Sequence, residues 1–412
     1  MRNVLIVLVL TFLATTIQAQ ADQERYVILV SFDGFRHDYV EKYDAPHFKA
    51  FIAGGAQSAG LVPSFPSKTF PNHYSIVTGM YPGHHGLVDN SFYDEPRQAQ
   101  YRMSNRAVVQ DAYYYGGIPL WQWVQQHGMK SASYFWVGSE APIQGRFPDY
   151  YYIYQQATPN TVRVDQAMTW LQMPDSARPR FITLYFSMVD NAGHDAGPES
   201  AEVRQAVMEA DSLLGRLMAG LDTIPLPVDV ILTSDHGMMK MSPEPATYIF
   251  MDDLVDMKDS TLVLMNTGTH LHIYTNDPAR QATLAQDLQA RQAHFSVYTH
   301  ATMPAAWHYT HERVGDVLVA AEPGYYITTH REYDARRLRD PNPTVWGTHG
   351  YDPAATTDMN GIFYARGPHV KAGVTLPPME NVHVFPVVTR ILGIPNPEID
   401  GSAKKTKKMY RK

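Results

Sequence analysis

The chain has 412 residues, 44% of them hydrophobic, with a formal net charge of −7. That length suits one large domain or two ordinary ones, and the apolar fraction supplies a sizeable core and excludes wholesale disorder. There is no cysteine, which excludes disulfides, thiolate metal sites and cysteine nucleophiles, so a metal has to be held by Asp, Glu or the 18 His. The acidic balance argues against a protein that grips many nucleic-acid phosphates, and no stable nucleic-acid complex is expected.

Residues 1–21 read as a signal peptide. Arg2 precedes an apolar run from Val4 to Ala14, and Ala19 and Ala21 are small cleavage-site candidates. The run is too short to span a bilayer. An exported protein, periplasmic or secreted, is expected, with no transmembrane anchor in the mature chain.

Three apolar runs follow one pattern. Tyr26–Phe32 runs into Asp33, Phe181–Val189 into Asp190, and Val228–Ser234 into Asp235. Continuous apolar runs rich in β-branched and aromatic residues predict strands buried on both faces of a parallel sheet. The three acids then lie at the carboxyl edge of that sheet, where open α/β sheets place their sites. Trp121–Gln126 predicts a helix stopped near Gly128. Another, Glu199–Leu221, has Val203, Val207, Ala210, Leu214, Leu217 and Leu221 at helical spacing. A further core strand is predicted at Gly361–Ala365.

From about 246 to 345 the pattern changes. Strands are predicted at Leu262–Leu264, Leu271–Tyr274, Phe295–Tyr298 and Val317–Ala320, with a helix from Ala279 to about Arg291. The expected organisation is an α/β core over 22–245, an α+β insertion over 246–345, and completion of the core over 346–402. Residues 403–412 form a basic tail: six of the last nine residues are Lys or Arg. It reads as a disordered, solubilising end.

The chemistry concentrates in a few short stretches. Asp190-x-x-x-His194 offers a carboxylate and an imidazole across a short loop, and Asp235-His236 offers another pair directly after a strand. Asp33 adds a third acid, and His349 lies in the glycine-flanked loop Gly347-Thr-His-Gly350. Three Asp and three His are about what two tetrahedral zinc sites need when each keeps a position for substrate or nucleophile. Carboxylates converging on one sheet edge repel and raise one another's pKa unless cations neutralise them. Upstream, Pro66-Ser-Lys-Thr69-Phe-Pro frames a hydroxyl with prolines, and the segment after it could start a helix, whose N-terminus attracts anions. A Thr hydroxyl becomes a competent nucleophile only when a metal or base removes its proton.

Together these stretches resemble the nucleotide pyrophosphatase/phosphodiesterase family of the alkaline phosphatase superfamily. The matching motifs are Phe32-Asp-Gly-Phe-Arg36, Pro66-Ser-Lys-Thr-Phe-Pro-Asn-His-Tyr74, Gly86-Leu-Val-Asp-Asn90, Asp190-Asn-Ala-Gly-His194, Ser234-Asp-His-Gly-Met238 and Thr348-His-Gly350. They occur in family order across nearly the whole mature chain. The resemblance implies an alkaline-phosphatase-like α/β core with a mostly parallel central sheet flanked by helices. It also implies two zinc ions: Asp190, His194 and His349 on one, and Asp33, Asp235, His236 and the Thr69 oxygen on the other. Thr69 is then the nucleophile, and Asn90 steadies a non-bridging phosphate oxygen. Phe70 and Tyr154 match the aromatics that sandwich a nucleobase in the family. The expected substrate is a small nucleotide or another phosphodiester, cleaved to a nucleoside 5′-monophosphate through a phospho-threonine intermediate.

A choline-phospholipid phosphodiesterase or a phosphomonoesterase of the same superfamily is the alternative, because fold and ligands do not fix the leaving group. A sulfatase lacks its usual cysteine here, and a non-catalytic binding protein would lack the nucleophile or a ligand. His84-His85 matches no family ligand. His270 and His272 share a strand face at period two and read as a polar face of the insertion.

Overall fold

The computed structural model describes residues 24–339 and 344–411. The expected signal peptide lies outside the described residues. Among them, no helix is long and apolar enough to cross a membrane.

The core is an eight-stranded sheet. In chain order its strands are β1 (Tyr26–Phe32), β2 (Ala56–Ser58), β3 (Ser131–Tyr134), β4 (Tyr150–Tyr152), β5 (Phe181–Phe186), β6 (Val228–Thr233), and, after the intervening segment, β11 (Phe363–Arg366) and β12 (Val374–Leu376). In space they run β12-β2-β11-β6-β1-β5-β3-β4. The five strands from β6 to β4 are parallel, with Val30 of β1 paired to Leu184 of β5 and Leu232 of β6. β11 is antiparallel to β6 and to β2, so the sheet is mixed.

Every residue of β1 is buried, as a central strand requires. Its side chains alternate between two cores: Val27 and Leu29 enter one, Ile28 and Val30 the other. The first core is roofed by α1 (Thr69–Thr78) and α5 (Val384–Leu392). The second is roofed by α3 (Ala201–Leu221), which follows α2 (Met188–Ala196). α3 begins two residues later than the pattern implied, because the Ser200 hydroxyl caps it by accepting the Val203 N–H at 3.1 Å. The stripe from Val203 to Leu217 is its buried face.

Within the segment expected as an insertion, β7 (Val263–Asn266), β8 (His270–Tyr274), β9 (Phe295–Thr299) and β10 (Val317–Ala321) form an antiparallel sheet in the order β7-β8-β10-β9. Helix α4 (Pro278–Ala290), capped by the Asp277 carboxylate, packs Leu284 and Leu288 onto it.

The tail contradicts the disordered reading. Met409 and Tyr410 are buried in the first core. The Lys371 N–H donates to Met409 O at 2.7 Å, and the Arg390 guanidinium lies 4.3 Å from the Tyr410 ring centre. Two apolar side chains inside the basic run anchor it, while Lys404, Lys405, Lys407 and Lys408 stay exposed. Met409→Ala should therefore cost about 2–4 kcal/mol, read as a lower midpoint in urea unfolding; an unchanged midpoint would show that the tail does not pack.

His85 is buried, with Nδ1 accepting the Leu87 N–H and Nε2 facing Ser75 Oγ at 3.0 Å. Burial pushes its pKa down to about 3. The unfolded chain binds this proton and the folded chain does not, so stability is lost as pH falls from the ordinary imidazole value toward 3. Replacing His85 with Gln should flatten the fall in melting temperature between pH 7 and pH 4.

Candidate active site

The strand ends deliver the acids. Asp33 follows β1 directly, its N–H donating to Phe186 O at 2.8 Å, and Asp235-His236 follows β6. Asp190 and His194 sit on α2 rather than on a short loop. Their spacing of four places them one helical turn apart on the same face. Gly34 lets α2 come this close: its φ is +68°, and a Cβ there would lie 2.8 Å from Asp190 Cα.

Thr69 is the first residue of α1, at the helix end that favours negative charge. Its Oγ1 is 3.2 Å from His236 Nε2. The next N–H, that of Phe70, donates to Asn90 Oδ1 at 2.9 Å, which ties Asn90 to the Thr69 loop. Lys68 is buried, and burial pushes its pKa down to about 8. Its Nζ donates to His349 O and Thr267 O, both at 2.9 Å.

All six expected ligands meet here. Asp33, Asp235 and His236 offer atoms within 4.8 Å of one another, as do Asp190, His236 and His349. His194 Nε2 stands 3.4 Å from Asp190 Oδ1, and His349 Nε2 is 3.8 Å from the same oxygen. The geometry thus sets His236 between the two groups, its ring stacked 3.5 Å from that of His349.

Two further observations fit divalent cations. The Nδ1 atoms of His194, His236 and His349 each face a backbone carbonyl at 2.8 Å, those of Gly347, Gly237 and Ser67. A carbonyl only accepts, so each Nδ1 carries the proton and each Nε2 presents a lone pair to the site. In addition, Asp33 Oδ1, Asp190 Oδ1 and Asp235 Oδ2 are buried without a hydrogen-bond partner. Buried anionic oxygens left this way are costly unless a cation meets them.

The electrostatics reflect the crowding. Burial, reinforced by the Asp235 and Asp190 carboxylates, raises the Asp33 carboxyl well above the usual range. Burial would raise Asp235 too, but the His236 and His73 imidazoles outweigh it and hold this group well below. His349 is driven well below the usual imidazole range by burial and then by His236 and His194.

Sequence reasoning missed three supporting groups. His73 Nδ1 lies 3.3 Å from Asp235 Oδ2, and its Nε2 is 2.8 Å from Ser31 Oγ. Its position four residues after Thr69, on the same face of α1, is the signal that would have found it. The Tyr185 hydroxyl donates to Asp33 Oδ2 at 2.6 Å. Ser67 Oγ donates to Tyr351 O and accepts the Gly350 N–H, which locks the His349 loop to the Thr69 loop.

Of the expected aromatics, Phe70 packs beside the first core, with its ring 6.4 Å from that of Tyr101. Tyr154 stands 6.0 Å from Tyr185 and so borders the Asp33 side. His84 Nδ1 lies 2.8 Å from Asp400 Oδ2, outside the site. His270 and His272 lie on a buried face, not an open polar one. His272 Nε2 is 3.3 Å from Asp89 Oδ2, and Asp89 Oδ1 accepts the Asn90 N–H at 2.6 Å. Strand β8 is thereby linked to the Asn90 loop.

The fold is alkaline-phosphatase-like, a mixed central sheet with helices on both faces. The family described as type I phosphodiesterase/nucleotide pyrophosphatase matches residues 27–352, and the chain belongs to it. It is 33% identical to the venom phosphodiesterase of Macrovipera lebetinus, over 91% of this chain and 44% of that protein. It is likewise 33% identical to ectonucleotide pyrophosphatase/phosphodiesterase family member 3 of Rattus norvegicus, over 91% of this chain and 43% of that one. The chain thus spans less than half the length of these curated relatives.

Among solved structures, murine ectonucleotide pyrophosphatase/phosphodiesterase 5, an inactive threonine-to-alanine form in complex with AMP, superposes with a TM-score of 0.85 at 27% identity. That match covers 94% of this chain and 100% of the other. The human protein of the same name gives 0.86 at 27% identity, with the same coverage.

Tyr185→Phe should weaken divalent-metal affinity about 10- to 100-fold by freeing the Asp33 carboxylate. Isothermal titration of the metal-stripped protein with zinc measures this, and an unchanged affinity would remove Tyr185 from the supporting shell.

Proposed function

We propose that the protein is an exported di-zinc phosphodiesterase/pyrophosphatase that hydrolyses nucleotide phosphodiester or pyrophosphate bonds and releases a nucleoside 5′-monophosphate. The observation that carries this reading is the convergence of three proton-fixed His Nε2 atoms and three partnerless carboxylate oxygens around a Thr hydroxyl at a helix N-terminus. Family membership, the venom relatives and the AMP complex of the murine relative support it. The predicted leader and those venom relatives support export.

In the proposed site Asp190, His194 and His349 would hold one ion, while Asp33, Asp235, His236 and Thr69 Oγ1 would hold the other. When bound, the ions supply positive charge that lowers the pKa of the Thr69 hydroxyl and offsets the charge gathering on phosphate oxygens. The chain's own groups do the rest. Thr69 Oγ1, its proton given up to solvent, attacks phosphorus in line with the scissile bond, which breaks with its electron pair leaving on the bridging oxygen. Asn90 Nδ2, whose partner oxygen is held by the Phe70 N–H, faces a non-bridging oxygen and stabilises it as charge grows. The phospho-threonine ester that forms is then hydrolysed by water to the monophosphate. Phe70 and Tyr154 hold the base, which orients phosphorus toward Thr69.

Thr69→Ala should lower kcat by on the order of 10³-fold or more on thymidine 5′-nitrophenyl phosphate. Zinc content by elemental analysis should stay near wild type, and EDTA should abolish wild-type activity reversibly. Full activity in Thr69→Ala would remove the nucleophile, and activity insensitive to EDTA would remove the metal.

A further inference from the structure

We infer that the segment after β10 builds a subsite beside Thr69 that selects leaving groups carrying phosphate charge, with Arg336 and Arg339 as the residues that impose the selection. This inference rests on the phosphodiesterase reading.

A cavity of about 490 Å³ opens next to the nucleophile loop, with Lys68 and Asn90 in its near wall and the helix His330–Arg339 in its far wall. The volume falls within the ~300–1,000 Å³ typical of small-molecule sites. Neither Phe70 nor Tyr154 lines it, so it is distinct from the place proposed for the base. A group expelled from phosphorus near Thr69 has this cavity beside it.

The lining is cationic. Lys68, Arg336 and Arg339 face a single carboxylate, Glu332. The Glu332 Oε2 is already engaged, accepting from Thr328 Oγ1 and the Thr329 N–H at 3.3 Å each. Arg336 is held over the Trp346 ring at 4.2 Å, a contact that orients its guanidinium without neutralising it. Among the described residues neither Arg336 nor Arg339 forms an ion pair. Lys68 spends two of its three N–H donors on carbonyls and keeps one.

The wall is also built rather than incidental. Gly268 has φ +84°, and a Cβ there would lie 2.3 Å from the Tyr326 ring, so only glycine lets the β7–β8 loop close against Tyr326. The Gly268 N–H is fixed by Asn266 Oδ1, and its carbonyl accepts the Ile327 N–H.

The step balances simply. As the Thr69 Oγ1–phosphorus bond forms, the bond from phosphorus to the bridging oxygen breaks, and its electron pair leaves with that oxygen. If the departing oxygen belongs to a di- or polyphosphate, the extra anion is met by guanidinium groups that bind phosphate bidentately. A choline-bearing leaving group brings a cation into the same cavity and is repelled.

The test compares the zinc-loaded full chain with its Arg336→Gln/Arg339→Ala variant on two substrates that share a nucleotide half. One is ATP, which loses pyrophosphate, and the other is adenosine 5′-nitrophenyl phosphate, which loses nitrophenolate. The ratio of kcat/KM for ATP to that for the nitrophenyl ester should fall about 10-fold or more in the variant. Arg339→Glu alone, at an exposed position whose change spares the core, should lower the ratio further than Arg339→Ala. An unchanged ratio in these variants, or an equal loss on both substrates, overturns the subsite. A wild-type protein that cleaves neither substrate overturns the phosphodiesterase reading instead.

Discussion

Three carboxylates share one buried sheet edge, and the rest of the site is arranged around that repulsion. Asp33, Asp190 and Asp235 each keep a buried oxygen without a hydrogen-bond partner. Protein groups blunt the charge only partly, with the Tyr185 hydroxyl on Asp33 and His73 beside Asp235. A fold does not retain so much unneutralised charge for stability, because burying unpaired anions costs several kcal/mol each. The counter-charge has to be a ligand, and the three histidines are already posed for one, each pinned at Nδ1 by a carbonyl.

The same constraint explains the architecture. β1 and β6 are adjacent and parallel, so their carboxyl ends bring Asp33 and Asp235 together without any loop to fix their separation. α2 supplies Asp190 and His194 across Gly34, and α1 supplies Thr69 with its N-terminus turned to the same place. Strand ends and helix starts are the stiffest points from which to hold a side chain, and the proposed chemistry depends on positioning more than on any single acid or base.

Much of this was legible in the sequence because it depends on local patterns. Continuous apolar runs marked β1, β5 and β6, and the acids that follow them identified the edge. Helical spacing marked α3 residue by residue. What escaped was set by tertiary contact. The Asp190–His194 pair looked like a loop because a short helix with Gly193 has weak propensity, yet the spacing of four already suited a helix. The basic tail looked solvated because charge dominates its composition, although Met409 and Tyr410 decide its fate by packing. Tyr185 gave no signal at all: in a strand buried on both faces, one hydroxyl among apolar neighbours is indistinguishable from a core residue. The buried state of His270 and His272 also depends on Asp89, which is remote in sequence.

That last contact shows how the two parts of the chain act together. Asp89 binds Asn90 through one oxygen and faces His272 of β8 through the other, while Lys68 spans from the Thr69 loop to Thr267 and to the His349 carbonyl. The β7–β8 hairpin is therefore linked, through Asp89 and Lys68, to the groups on both sides of Thr69: Asn90, proposed to steady the phosphate, and His349, proposed to hold an ion. A segment that only covered the core would need apolar contact and nothing more. Here the His272 imidazole and the Thr267 carbonyl meet the buried Asp89 carboxylate and the Lys68 amine across the seam, each with a defined partner. A displaced hairpin would leave the Asp89 charge without His272, a cost that keeps the seam in one arrangement. The β7–β8 hairpin is thus fixed to the candidate site by polar contacts, and it shares a cavity wall with Lys68 and Asn90.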